Sequence, residues 1–271
     1  MRIVLLIFWL MGIGQSAQAG SSIIIGGSGT DLGTFRLLVK QFNARHPEIT
    51  VKIPLSVGSA GAAKGIGSGV LHIGLLTRPL KEEERSLGIR QLLYARTPLV
   101  IAVHEDSKQN DISHVLLQDF LAGTRLTWPD GERLRLILRP SRDSDIEMLR
   151  SAFPEMSAAL DLAYQRKGLP VALTDQEAAD MIAHTPGGVG ISSLALVLSE
   201  RLTLKILKLD GVIPSVQTIA DGSYPLSKSL YMAVNEQVSP EAQKFIDFVF
   251  SPQGAAVLQD TGHWVVKQGE R

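Results

Sequence analysis

Three times in this chain a strand-like apolar run gives way to a short polar turn and then to a run with helical spacing. The turns are Gly26-Gly27-Ser28-Gly29-Thr30, Val57-Gly58-Ser59-Ala60-Gly61 and Arg139-Pro140-Ser141-Arg142-Asp143-Ser144-Asp145. A strand that feeds a helix through a tight turn, repeated along a chain, builds α/β layers in which helices cover a sheet. In such sheets ligands sit at the carboxyl ends of the strands, where these turns fall. The first helical turn has backbone N–H groups without intrahelical partners and carries partial positive charge, so it attracts anions. Glycine allows close approach, and Ser or Thr adds a hydroxyl donor.

The same alternation runs through most of the chain. Residues 22–25 read as a strand, and Leu32, Phe35, Leu38, Val39 and Phe42 recur at helical spacing until His46-Pro47 ends the helix. Residues 50–55 alternate as a strand, 59–68 read as a small-residue helix, and 71–75 and 99–103 as buried strands. A helix is expected over 111–121, a strand over 134–138 and a helix over 145–153. Residues 171–173, 175–184 and 188–192 read as strand, helix and strand. Strands follow at 204–209 and 230–234, then a helix opened by Ser239-Pro240-Glu241 and another by Ser251-Pro252-Gln253. Neither a repeat nor a linker interrupts this pattern.

The ends and the composition narrow the function. One positive charge at Arg2, an apolar run over 3–13 and the small-x-small ending at Ala17-Gln18-Ala19 make a secretory signal peptide, with cleavage expected after Ala19. That run is well short of the ~20 residues needed to span a bilayer. Lys+Arg and Asp+Glu are equal at 27 each, which argues against a nucleic-acid partner. With no cysteine there is no disulfide, thiolate metal site or cysteine nucleophile, so an exported chain relies on its core.

Enzymatic signatures are weak. Neither Ser59 nor Ser68 is at the centre of a Gly-x-Ser-x-Gly elbow. The six histidines form no His-x3-His pair, so neither a zinc site nor a catalytic triad is indicated. Gly27 and Gly29 lack the third glycine of a dinucleotide fingerprint at its proper spacing. No cofactor and no metal are expected. Thr30, Asp31 and Ser59 can also be read simply as helix N-caps, a role that does not exclude ligand contact, and Ser144 with Asp145 would be a capping pair in any protein. Arg142 is expected to pair with Asp143 or Asp145.

In order and spacing these segments resemble the periplasmic phosphate-binding proteins, the substrate-binding subunits of ABC importers with the type II periplasmic binding protein fold. The resemblance rests on the Thr30 turn, the 57–61 turn, Ile73-Gly74-Leu75-Leu76-Thr77-Arg78-Pro79-Leu80, the Arg139 segment, Thr185-Pro186-Gly187-Gly188-Val189-Gly190-Ile191 and Tyr224-Pro225-Leu226-Ser227. It implies two α/β lobes, each a mostly parallel sheet flanked by helices, joined by two crossing strands that let the lobes close on a ligand. The expected division is residues 20–98 plus 224–271 for the first lobe and 99–223 for the second.

Carried over by position, the family's ligand contacts fall on Thr30 or Asp31, Leu32, Ser59, Arg139, Asp143, Ser144 and Asp145. The chain departs from the family at Thr77, where phosphate binders have an aspartate, followed here by Arg78. It departs again at Asp143 and Asp145, in place of a neutral hydroxyl turn. Thr77 and Arg78 would tolerate a fully deprotonated oxyanion, because no carboxylate there demands a ligand proton. The resemblance therefore implies a periplasmic, non-enzymatic, monomeric binding protein for a small oxyanion, phosphate first, with an ABC permease as partner. Sulfate, molybdate or an organic anion is the alternative ligand, a sensory or interaction protein the alternative role, and an enzyme on the same fold the least favoured reading.

Overall fold

Ile23 and Ile25 alternate with more exposed neighbours, and Phe35, Leu38 and Phe42 repeat every three to four residues, so a strand and a helix share one apolar interior. The computed structural model describes residues 21–266. The signal peptide expected over 1–19 lies outside the described residues. In chain order the first elements are β1 (Ser21–Gly27), α1 (Gly29–Asn43), β2 (Ile49–Lys52), α2 (Gly58–Gly67), β3 (Ile73–Leu76) and the short α3 (Glu82–Arg85). The long β4 (Ile89–His104) leads to β5 (Asp111–Ile112), α4 (His114–Ala122), β6 (Arg135–Leu136), α5 (Ser144–Ala152), α6 (Met156–Gln165) and α7 (Asp175–Ala183). The remainder is β7 (Gly188–Ser193), α8 (Leu194–Ser199), β8 (Leu204–Ile206), β9 (Lys208–Leu209), α9 (Val216–Ala220), β10 (Ser227–Asn235), α10 (Pro240–Val249), α11 (Pro252–Asp260) and β11 (Trp264–Val265).

The main sheet runs in the order β2-β1-β3-β10-β4-β7-β6. Its flanks are parallel: β1 pairs with β2 and β3, and β6 with β7. Its centre is antiparallel, because β10 runs against both β3 and β4, and β4 against β7. The sheet as a whole is thus mixed, with parallel flanks and antiparallel pairings made by β4 and β10. The two strands that carry the chain across the molecule run opposite to their neighbours.

Two large apolar cores flank these crossing strands. One gathers Ile23, Phe35, Phe42, Ile73, Leu230 and Phe245, with Phe42 and Phe245 packed edge to face 5.1 Å apart. The other gathers Leu99, Ile101, Phe120, Trp128, Ile146 and Leu160. Within β4 the chain passes from Ala95 in the first core to Leu99 in the second. It returns between Leu226 and Leu230. Tyr224 and Leu226 pack in the second core, and the Tyr224 hydroxyl donates to the Leu99 carbonyl, so these residues side with the 99–223 segment.

Several local expectations are corrected. The run 111–121 is two elements, because Ser113 caps α4 by accepting from the Leu116 N–H and leaves Asp111 and Ile112 to pair with β9. Residues 171–173 touch the sheet through a single bridge, Leu138 to Val171. Residues 204–209 divide into β8, on β4, and β9, on β5. At the end of β1, Gly27 has φ 156°, and a Cβ there would collide with the Leu75 carbonyl of β3. Only glycine lets β1 and β3 approach so closely at the mouth of α1.

Candidate functional site

The three turns recognised in the sequence converge on one cavity of about 320 Å³ between the two cores. Ser28, Ser59, Thr77 and Lys81 line it from the first core's side, and Arg139, Ser144, Thr174 and Asp175 from the other. Four helix N-termini point their first turns toward this region, those of α1, α2, α5 and α7. Ser28 caps α1 by accepting from the Thr30 N–H, Asp143 caps α5 by accepting from the Asp145 N–H, and Thr174 caps α7 by accepting from the Glu177 N–H. Val57, which opens α2, makes no side-chain cap.

A chain of hydroxyls spans the cavity. The Thr77 N–H donates to Ser59 Oγ at 3.0 Å, Ser59 Oγ lies 3.1 Å from Thr77 Oγ1, and Thr77 Oγ1 lies 3.0 Å from Ser144 Oγ. Ser59 and Thr77 belong to the first core's elements and Ser144 to the second's, so this chain bridges the two sides. Each hydroxyl can turn its proton to an anion at no cost in charge.

Arg139 anchors the far side. It is 4% exposed; Nη1 donates to the Ala172 carbonyl at 3.1 Å and Nη2 to Asp143 Oδ2 at 2.9 Å. Asp175 Oδ2 lies 3.8 Å from Nη2. Among the described residues, the buried Nε has no hydrogen-bond partner. Burial works against the guanidinium charge, but Asp175, then Asp143 and Asp145, outweigh it and hold the group above the ordinary arginine range.

Beneath α1 lies a buried charge network that the sequence reading did not include. Lys228 on β10 is 1% exposed, pairs with Asp145 and donates to Thr30 Oγ1 at 2.9 Å. Thr30 in turn donates to Asp175 Oδ1 at 3.2 Å. Burial opposes the Lys228 charge, yet Asp145 and Asp175 raise its affinity for the proton above the usual lysine range. Burial likewise pushes Asp145 up to about 6, against the pull of Lys228.

The expected site residues divide accordingly. Ser59, Thr77, Arg78, Arg139, Asp143 and Ser144 line the cavity. Asp31 does not: fully buried, its carboxylate accepts from the Tyr94 hydroxyl at 2.7 Å and faces His263 Nε2 at 3.3 Å, so it is held behind α1. The Leu32 side chain packs in the first core, which leaves only its backbone for any ligand. Thr30 and Asp145 are sealed around Lys228. Arg78 is held by Glu84 in a bidentate pair at 2.7 and 2.6 Å, which balances its charge. Arg142 is exposed and pairs with neither aspartate, because Asp143 is taken by Arg139 and Asp145 by Lys228.

Two further residues of this region were within reach of sequence reasoning. Leu173-Thr174-Asp175 is a fourth apolar-to-polar turn before a helix, like the other three. Lys228 shares the inward register of Leu230 and Met232 in a strand whose alternate residues face outward. No group of His, Asp and Glu suited to a metal ion occurs among the described residues.

Comparison with known proteins agrees with this architecture. The chain is 23% identical over 254 residues to the phosphate-binding protein PstS of Bacillus subtilis, covering 91% of this chain and 81% of that protein. It is 21% identical over 279 residues to PstS of Borreliella burgdorferi, covering 98% and 99%. A Clostridium perfringens protein assigned as a phosphate ABC transporter substrate-binding protein, solved with bound phosphate, superposes with a TM-score of 0.79 at 19% identity over 91% of this chain and all of that one. With type II periplasmic binding proteins as its structural neighbours and the family model described as "PBP superfamily domain" matching residues 14–253, the chain belongs to the PBP superfamily.

Proposed function

We propose that the protein is an exported solute-binding protein that captures phosphate between two lobes and presents it to an ABC permease, without catalysing a reaction. The lobes are residues 20–98 plus 224–271 and residues 99–223, except that Tyr224 and Leu226 pack with the second, and the signal peptide is removed after Ala19 on export. The ligand-binding set is Ser59, Thr77, Ser144 and Arg139, with Asp143 and the backbone at the starts of α1, α2 and α5. The observation that carries the reading is the Ser59–Thr77–Ser144 hydroxyl chain, which bridges the two sides opposite a buried arginine. Neutral donors from both sides and one fixed cation suit a small oxyanion, and closure around it stabilises a single lobe arrangement.

The carboxylates in the cavity wall favour phosphate over sulfate. Asp143 and Glu147 line it, and an ionised carboxylate accepts hydrogen bonds but gives none. Hydrogen phosphate has a proton to offer them, whereas sulfate has none. This restores the selection that Thr77 alone would relax. The relatives whose names specify phosphate support the same ligand. Calorimetry of the purified protein with phosphate, sulfate and molybdate tests the reading: phosphate binds most tightly, and Ser59→Ala and Arg139→Ala both weaken it. Absence of phosphate binding refutes it.

A further inference from the structure

The first turn of α7 is pressed against the first turn of α1, and one carboxylate lies between them. Asp175 Oδ1 accepts from Thr30 Oγ1 at 3.2 Å and lies 3.8 Å from Lys228 Nζ. Its Oδ2 lies 3.5 Å from Ser28 Oγ, which donates to it, and 3.8 Å from Arg139 Nη2. Each oxygen thus has one hydroxyl from the start of α1 and one buried cation. Two hydroxyls, two cations and a helix N-terminus are what an oxyanion would use.

We propose that Asp175 is a built-in competitor for the oxyanion: its carboxylate occupies the seat at the start of α1, holds the two lobes together without ligand, and must yield that seat for full-strength binding. The inference rests on the reading of the cavity as an oxyanion site. Thr174 fixes the competitor by capping α7, and the Leu173 N–H donates to Glu177 at 2.6 Å in the same turn. Gln176 Nε2 adds a bond to the Gly29 carbonyl at 2.9 Å, which ties the same two helix ends together. Gly29 is part of the fit, since a Cβ there would overlap Gln176 Oε1 and lie 2.8 Å from Asp175 Oδ2. Burial opposes the Asp175 charge, but Lys228, Arg139 and the Thr30 hydroxyl more than offset it and keep the group ionised.

A ligand that enters this closed arrangement meets both a like charge and an occupied seat. Its apparent affinity is reduced by the fraction of molecules in which Asp175 holds the seat. The state in which Asp175 has withdrawn is the competent one.

The test pairs calorimetry with small-angle scattering on the full mature chain. Asp175→Asn keeps the shape and removes the charge. Its ligand-free radius of gyration is expected to exceed that of the wild type, and phosphate to bind it about tenfold tighter or more. Gly29→Ala is the independent variant, because it wedges the two helix ends apart without removing any charge. Its ligand-free radius of gyration is also expected to increase. Wild-type binding of phosphate with equal or weaker binding by Asp175→Asn overturns the proposal alone, as does a ligand-free radius unchanged in both variants. If neither wild type nor Asp175→Asn binds any oxyanion, the functional reading falls and the proposal with it.

Discussion

The Lys228 ammonium on β10 pairs with the Asp145 carboxylate in the first turn of α5, and each side chain is only 1% exposed. The pair joins a crossing strand to a helix of the second core, at a point that Thr30 of α1 also reaches through its hydroxyl. Three segments distant in sequence therefore meet on one buried cation. A buried pair need not exceed a hydrophobic pair in strength, but removal of one partner strands the other in a low-dielectric interior.

Lys228→Met is accordingly expected to destabilise the protein by about 3–5 kcal/mol, because Asp145 and Asp175 lose their shared cation. The double variant Lys228→Met/Asp145→Asn should recover part of that loss, since it removes the stranded charge as well. Urea unfolding of both variants and the wild type measures this. Additive losses would contradict the shared network.

The network also fixes a sign of pH dependence. Asp145 is pushed up to about 6 from an ordinary 3.8, so the folded chain holds this proton more tightly than the unfolded one. The stability it contributes is full below the unfolded value and is lost as pH rises through about 6. Unfolding free energies of wild type and Asp145→Asn should therefore diverge, with the wild type losing ground between pH about 4 and 7. Glu84 has the opposite sign. Its bond from Arg78 outweighs burial and lowers it, so its contribution is present above the ordinary glutamate range and disappears in acid.

Much of this arrangement was legible in the sequence, and the losses have physical reasons. The turns at 26–30, 57–61 and 139–145 announced themselves because glycine, hydroxyls and caps mark strand-to-helix joints in local composition. The direction of Asp31 was not legible, because a first-turn carboxylate looks alike from sequence whether it faces a ligand or, as here, Tyr94 and His263 behind the helix. The partner of Asp145 lies 83 positions further on, at Lys228, and Asp175 meets Thr30 across two cores. Such pairings are set by the crossing of β4 and β10, which no local pattern encodes. The first half of β4, from Ile89 to Pro98, mixes Arg90, Gln91 and Arg96 with apolar residues and so hid a 16-residue strand.

Arg139→Ala tests the anchor. The substitution removes the cation that faces Asp143 and Asp175, and loss of a buried charged partner costs about 2–5 kcal/mol of binding. Arg142→Ala, at an exposed position with neither of those pairs, should change phosphate affinity far less. Equal effects of the two substitutions in calorimetry would show that Arg139 has no special part in the site.

Thr77 offers the sharpest reading of selectivity. Its hydroxyl is 3.1 Å from Ser59 and 3.0 Å from Ser144, so it is the middle link of the chain that joins the two sides. Thr77→Val keeps the shape and leaves the Thr77 N–H bond to Ser59 in place, yet it deprives two hydroxyls of their shared neighbour. One neutral hydrogen bond is worth about 1 kcal/mol, so phosphate binding should weaken roughly five- to tenfold. Thr77→Asp makes the stronger demand, since a carboxylate at the centre of the chain accepts from Ser59 and Ser144 and repels any oxyanion that lacks a proton. The ratio of phosphate to sulfate affinity, measured by calorimetry at neutral pH, should therefore rise in Thr77→Asp even as both affinities fall. A ratio that drops would place the ligand away from Thr77 and leave the hydroxyl chain with a purely structural part.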